Sequence, residues 1–349
     1  MAISRLRQDV PIVLMFLACL VTAADSNSTS DPFLDPKNDP KNPMRYIPSN
    51  ILTTISKDLI FVVGFIHSYY LYKFGGRYML AMILGEFSMV AGLAMRYGLH
   101  ANPHSLMLYI VQTLFTMVLA PCAFIASAYV LLGRIAIYLD CDEQLVISPR
   151  ILTRVFLISD ISTFLIQAAG GGLSASSSKS GGSVDLGSKV SLVGVILQLV
   201  SFGIFTGIYI VFLYRVYTRR RTIWTIDRYR GFYNDWRGLA LALAISCAGI
   251  LVRSFYRSVE LAQGYHGDLA TTEFYFYLLD TLPLFIAIAV YVPFWPGRFI
   301  SPTKITQRPI SPDKEVPAHT QPRVRMGRQY AEEYLLEERR GQGANSAAV

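Results

Sequence analysis

The chain has 349 residues, of which 52% are hydrophobic and only 16% charged, and its formal net charge is +8. Soluble domains carry about 25% charged residues, so this composition, with a mean hydropathy of +0.38, excludes an ordinary soluble domain and points to a protein embedded in a bilayer. The positive excess then fits basic cytoplasmic loops and tails and implies no nucleic-acid partner.

The N-terminus reads as a signal peptide over residues 1–24. Arg5 and Arg7 precede the uncharged run Val10 to Val21, and "VTAADS" offers small residues for cleavage near Ala23 or Ala24. The run is short for a spanning helix, which needs about 20 residues. Next comes a polar linker, residues 25–48. It opens with the glycosylation sequon Asn27-Ser28-Thr29, and the sequon and leader together place this end in the lumen or outside. The stretch "DPFLDPKNDPKNP" has no core-forming pattern.

Residues 49–297 form the membrane domain. Seven apolar segments are expected, at roughly 51–72, 78–97, 105–132, 151–173, 188–214, 238–262 and 272–294. Each is close to the length that crosses a hydrocarbon core about 30 Å thick. In lipid every backbone polar group must be satisfied internally, so such runs are helices. The fold class is all-α, a seven-helix polytopic bundle. Pro121 and Pro283 lie inside spans, where kinks are expected.

Loop charge sets the orientation. Arg215, Arg219, Arg220, Arg221, Arg228, Arg230 and Arg237 lie between spans five and six. Arg134, Arg150 and Arg154 lie between three and four, and Lys73 and Arg77 between one and two. The alternate loops are poorer, with only Lys179 and Lys189 between four and five. This pattern predicts the N-terminus out and the C-terminus in. Residues 298–349 read as a largely disordered cytoplasmic tail, with a short helix possible at "RQYAEEYLLEERR".

Cys19, Cys122, Cys141 and Cys247 form no CxxC pair and read as small apolar side chains. There is no HExxH, no metal-ligand cluster, no cofactor motif and no GxxxxGK[ST]; "GSVDLGSK" comes near but has Ser before Lys. The chain therefore reads as neither an enzyme nor, by itself, an ATP-driven pump.

Polar residues inside the spans carry the functional signal. A charge at the centre of a span is unfavourable by about 2.5–3.5 kcal/mol on insertion scales, so these residues should face the bundle interior. Arg253, Arg257 and Glu260 share one face of span six, within about 60° of one another. Glu273, Tyr277 and Asp280 share a face of span seven, and Asp160, Thr163 and Gln167 a stripe of span four. Glu86, Gln112 and Gln198 lie in spans two, three and five. Counting inward from the span ends puts Arg253 and Asp280 each roughly 12 Å deep. Two rungs follow as expectations, Arg253 with Asp280 and Arg257 with Glu273, leaving Glu260 spare. Three deep acids, Glu86, Asp160 and Asp280, then face one deep arginine, Arg253, and the surplus carboxylate suits a basic head group or a proton. For each of these residues a structural role in helix packing stands beside the functional one. Arg257 and Glu260 can also snorkel to the interface, and the glutamines can serve as interhelical hydrogen-bonders.

Several stretches resemble the fungal lipid-translocating exporter family, the seven-helix group named for resistance to aminocholesterol. The resemblance rests on "RSFYRSVELAQGYHGDLATTEFYFYLLD" followed by "WPG", on "RYIPSN", on "YIVQTLFTMVLAPCAFIASAYVLLGRI" and on "FLISDISTFLIQAAGGGL", and it runs from about Tyr46 to Gly297. Two motifs depart from the family pattern. Glu86 stands six residues before Gly92, about one turn from the usual place of the acid, and Leu93 replaces a tyrosine. Trp295 replaces the His of the closing His-Pro-Gly. The resemblance implies a multi-pass plasma-membrane protein that moves, or confers resistance to, amphipathic lipids or hydrophobic toxic compounds. The group includes a sphingoid long-chain base translocator and a protoporphyrin uptake protein. The expected partners are a lipid or amphipathic small molecule and the surrounding membrane lipids. A seven-helix sensor or scaffold without flux is the alternative.

Overall fold

The computed structural model describes residues 42–180, 184–224, 235–264 and 267–300, together with Phe33, residues 35–37 and Asp39. The expected signal peptide, the Asn27 sequon and the tail beyond residue 300 lie outside the described residues.

The described chain is helical, with no strand among its residues. Seven helices build the bundle: α1 (Asn50–Phe74), α2 (Leu80–Ala101), α3 (Leu106–Tyr138), α4 (Pro149–Ser180), α5 (Val184–Arg219), α6 (Trp236–Gln263) and α7 (Glu273–Ala289). The first six are long and apolar enough to span a bilayer. The seventh is interrupted. It passes through a π-helical turn, Phe276–Thr281, before resuming at Leu282. The expected limits of spans three, four and five fall short of the observed helices, which continue into the polar ends of their sequences.

Prolines account for the interruptions. A π-turn also occupies Leu114–Leu119 of α3, and in both helices a proline follows two residues after the turn, Pro121 and Pro283. Proline has no N–H to donate four residues back and its ring crowds that carbonyl. A widened turn ahead of it relieves both problems and leaves carbonyls free for other donors.

The helices pack in a ring in chain order. α7 closes on α1, and α3 touches α6 across the middle. Glycines set the close approaches. A Cβ on Gly249 of α6 would stand 2.5 Å from the Pro283 carbonyl of α7, and one on Gly85 of α2 would stand 2.8 Å from the Phe124 ring of α3. Burial is inverted relative to a soluble fold. Ile51, Val62, Leu84, Ile158, Ile204 and Ile210 are exposed, while Glu86, Arg96, Asp160, Arg253, Arg257 and Asp280 are buried. That distribution matches a surface solvated by lipid. The protein is a multi-pass membrane protein.

The two ends of the bundle are distinct. At the first face the segment Tyr46–Ser49 meets the ends of α2 and α7: His100 Nδ1 lies 2.7 Å from the Pro48 carbonyl and the Ser49 N–H donates to Glu273 at 2.9 Å. At the second face the Trp295 indole N–H donates to the Gly75 carbonyl at 3.1 Å, and Arg215 donates to the Gln144 carbonyl at 3.2 Å.

Candidate functional site

The polar groups of the interior form a column that begins under the first face. Arg96, fully buried, donates to the Tyr46 hydroxyl at 3.1 Å and to Glu273 Oε1 at 3.0 Å. Its guanidinium lies over three rings, Phe276 at 4.4 Å, Tyr277 at 5.3 Å and Tyr46 at 5.6 Å. Burial pushes the Tyr46 phenol above its usual range, against the opposing pull of the Arg96 charge. Glu273 therefore pairs with Arg96, not with Arg257 as the helix faces predicted. Sequence alone did not single out Arg96, because an arginine five residues from the end of α2 could as well reach the interface.

One turn deeper the charges of α6 meet the π-turn of α7. Arg253 Nε stands 3.1 Å from Asp280 Oδ1, in the predicted rung, but off the angle of a hydrogen bond. Arg257 Nε donates to the same oxygen at 2.8 Å, and its Nη1 donates to Glu260. Arg257 is buried, so it does not snorkel, and Glu260 is not spare. Arg253 Nη2 donates to the Met117 carbonyl at 2.8 Å. That carbonyl lies four residues before Pro121, so the break in α3 supplies an acceptor for the arginine of α6. In this column Arg96, Arg253 and Arg257 balance Glu260, Glu273 and Asp280.

Deeper still lies a second group of polar side chains, from α3, α4 and α5. Gln167 donates to Gln198 Oε1 at 2.8 Å, and Gln198 donates to the Cys122 sulfur at 3.8 Å. Cys122 is within electrostatic reach of both Arg253 and Asp160. Asp160 is 3% exposed, and neither of its oxygens has a hydrogen-bond partner. Tyr129 is its polar neighbour, and the two groups act on one another electrostatically. The Tyr129 hydroxyl faces the carboxylate closely enough to act on it, though off ideal hydrogen-bonding geometry. Gln112, fully buried, donates to Thr116 at 3.0 Å beside the π-turn, and its carbonyl oxygen is unpartnered.

Glu86 stands apart from this column. Its Oε1 lies 2.7 Å from His67 Nδ1, both residues fully buried. The His67 ring stacks on Trp295 at 5.1 Å, so the tryptophan that departs from the family's closing motif fastens α1 to the end of α7. The expected surplus of three acids over one arginine is thereby corrected. Glu86 has His67, Asp280 has Arg253 and Arg257, and Asp160 alone of the three has no counter-charge. His67 escaped sequence reading because one histidine in an apolar span looks like core. No group of three or more His, Cys, Asp or Glu side chains is placed to hold a metal among the described residues.

Residues 82–303 match the family model described as "RTA1 like protein". Among curated proteins the chain is 31% identical to Protein RTA1 of Saccharomyces cerevisiae over 214 residues, covering 61% of this chain and 64% of that protein. It is 31% identical to Protoporphyrin uptake protein 1 of the same yeast over 191 residues, 55% of this chain and 59% of that protein. It is 28% identical to the yeast Sphingoid long-chain base transporter RSB1 over 260 residues, 66% of this chain and 68% of that protein. The chain thus spans less than two thirds of the length of the first two. No solved structure matches it.

Proposed function

The chain belongs to the RTA1-like family, and on that premise we propose that it is a translocator of amphipathic lipids or hydrophobic toxic compounds, giving export or resistance without hydrolysing ATP itself. The reading extends the named roles of two relatives, a sphingoid long-chain base transporter and a protoporphyrin uptake protein, to this chain. We further propose that the protein is no enzyme, sits in the plasma membrane, and has its N-terminus out and its C-terminus in.

One observation carries the reading: a carboxylate, Asp160, lies buried deep in the bundle beside the Tyr129 hydroxyl, with no ion-pair partner among the described residues. A charge so placed is strongly unfavourable, so Asp160 takes up a proton or the positive head of a cargo. Gln167, two turns farther along α4, pairs with Gln198 and supplies amide groups on the same stripe, while the cargo's tail stays in lipid. The broken helices α3 and α7 add support, because irregular backbone at membrane depth is characteristic of transporter sites. Of the cargo classes, a single positive amphipathic head fits best, because the arginines and acids of the column already cancel. With no nucleotide-binding motif in the sequence, movement runs downhill or is coupled to an ion gradient.

The test is flux across vesicles that hold only the purified protein. Labelled sphingoid bases, short-chain phospholipids and porphyrins are followed in turn, with native chain and with Asp160→Asn. The sphingoid base should cross with native protein and stall with the variant. If no probe crosses with native protein while the folded chain still binds one of them, the sensor reading holds instead.

A further inference from the structure

The seam between α1 and α7 is fastened at both ends and open between them. Near the first face the Ser49 N–H donates to Glu273 at 2.9 Å, and the Thr53 and Tyr277 hydroxyls share a hydrogen bond of 2.9 Å. Toward the second face Trp295 donates to the Gly75 carbonyl at 3.1 Å and stacks on His67 at 5.1 Å. Between these fastenings the two helices leave a groove of about 270 Å³. Leu52, Ile55 and Leu59 form its α1 wall, and Phe274, Leu278 and Leu282 its α7 wall, all six exposed on the surface that faces lipid. The α7 wall runs through the π-turn Phe276–Thr281 and past Pro283. Such interruptions bend a helix away from its regular neighbour, which accounts for a gap that two regular helices would close by packing.

The surroundings define the occupant. The groove opens on a lipid-solvated surface and its lining is almost entirely apolar, with no charged side chain in it, so hydrocarbon and not water fills it. The Thr281 hydroxyl, buried in the inner wall, has no hydrogen-bond partner, so protein packing alone leaves this wall incomplete. The volume lies just under the roughly 300 Å³ at which pockets for drug-sized ligands begin, which suits one chain and not two. From Leu52 to Ile60 the groove follows α1 for roughly 12 Å. That is most of the ~15 Å that one leaflet contributes to a hydrocarbon core about 30 Å thick. Its outer end lies under the first face, where Glu273 and the Thr53–Tyr277 hydroxyl pair stand.

We propose that this groove binds the single alkyl chain of an amphipath in the leaflet at the first face, with the polar head at the membrane surface beside Glu273 and Tyr277. The inference rests on the translocator reading for the identity of the amphipath, which is the cargo, and it gives the cargo's tail a defined place against the protein. Its geometry requires no flux.

The test is photo-crosslinking of the purified full chain in lipid nanodiscs, with a sphingoid base that carries a diazirine on its chain. Adducts should concentrate on Leu52–Ile60 of α1 and Phe274–Phe285 of α7. Excess unlabelled sphingoid base should remove them, and excess diacyl phospholipid should not. Ile55→Trp and Leu278→Trp fill the groove from exposed positions, and each should cut labelling there about tenfold, equivalent to about 1.4 kcal/mol of binding. Ile204→Trp, which adds the same ring to an exposed position of α5, should change nothing. Adducts spread evenly over the lipid-facing helices overturn the proposal, and so does native labelling in a folded variant with the groove filled. Equal competition by diacyl phospholipid overturns the single-chain assignment. Cross-links between two copies of the chain through this seam would make it an interface and overturn the proposal as well. If the filled variants fail to reach the membrane, the adduct map of the native protein decides alone. Labelling in the groove without flux would sink the translocator reading and leave the groove standing. Flux that persists with no adducts in the groove would do the reverse.

Discussion

Arg253 and Asp280 stand 3.1 Å apart inside the bundle, and the arginine also holds the Met117 carbonyl at 2.8 Å. One side chain of α6 thus ties together the two interrupted helices, α3 and α7. Asp280 in turn serves two arginines, so its removal leaves two buried cations without their anion. Asp280→Ala should destabilise the protein by about 3–5 kcal/mol, the range for breaking a buried pair. Arg253→Ala should be milder, because Arg257 keeps Asp280 company. Thermal unfolding in detergent of both single variants and the double variant should give a coupling of about 0.5–3 kcal/mol. Strictly additive losses would rule the contact out.

Arg96 depends on its rings as much as on its charge. Arg96→Lys keeps the cation near Glu273 but loses the flat group that lies over Phe276, Tyr277 and Tyr46. The loss should reach about 2 kcal/mol, the scale of a desolvated cation–π contact. Glu273→Gln should be milder, because the amide oxygen still accepts from the Ser49 N–H. Equal melting temperatures for native and Arg96→Lys proteins would mean that the rings add nothing to the charge.

The run Gly170-Gly171-Gly172 should prove unequal in its three positions. A Cβ on Gly170 would lie 2.5 Å from the Ser191 backbone nitrogen of α5, whereas nothing lies within 4 Å of one on Gly171 or Gly172. Gly170→Ala should destabilise by about 1–3 kcal/mol through overpacking. Gly171→Ala should be neutral or stabilising by up to about 1 kcal/mol, because alanine is the better helix former. Matched melting curves for the three alanine variants would show the difference, and three equal shifts would contradict it.

Asp160→Asn should separate stability from function. The native carboxylate has no ion pair to lose, an amide oxygen can still face the Tyr129 hydroxyl, and the amide removes an unmatched buried charge, so the variant should melt at or above the native temperature. Flux of a cationic probe, and any dependence of that flux on a pH gradient, should fall to background. A variant that melts far below native would mean that Asp160 holds the helices together.

Topology gives a further check. A reporter fused after residue 349 should be shielded in intact cells, while the segment Tyr46–Ser49 should be reachable from outside. A tail that is accessible in intact cells would reverse the bundle and with it the two faces.

The sequence by itself determined the seven apolar helices and most of the polar residues that they carry inward, though not Arg96 or His67. Both follow from local rules: span length against bilayer thickness, and the penalty of setting a charge against lipid. It also located the two breaks, since a proline marks its own place. Partner choice needed the fold. Whether Glu273 meets Arg257 or Arg96 depends on how α2, α6 and α7 are rotated and offset against one another, and the π-turn of α7 shifts the register of every side chain beyond it. The spacing i, i+4, i+7 places Glu273 and Asp280 on one face but cannot say that different arginines, from two different helices, approach its two ends. His67 and Glu86 are likewise far apart in the chain and meet only because α1 packs on α2. The isolation of Asp160 is tertiary for the same reason. A buried acid lacks a counter-charge only when every neighbouring helix has been placed and none brings it a cation.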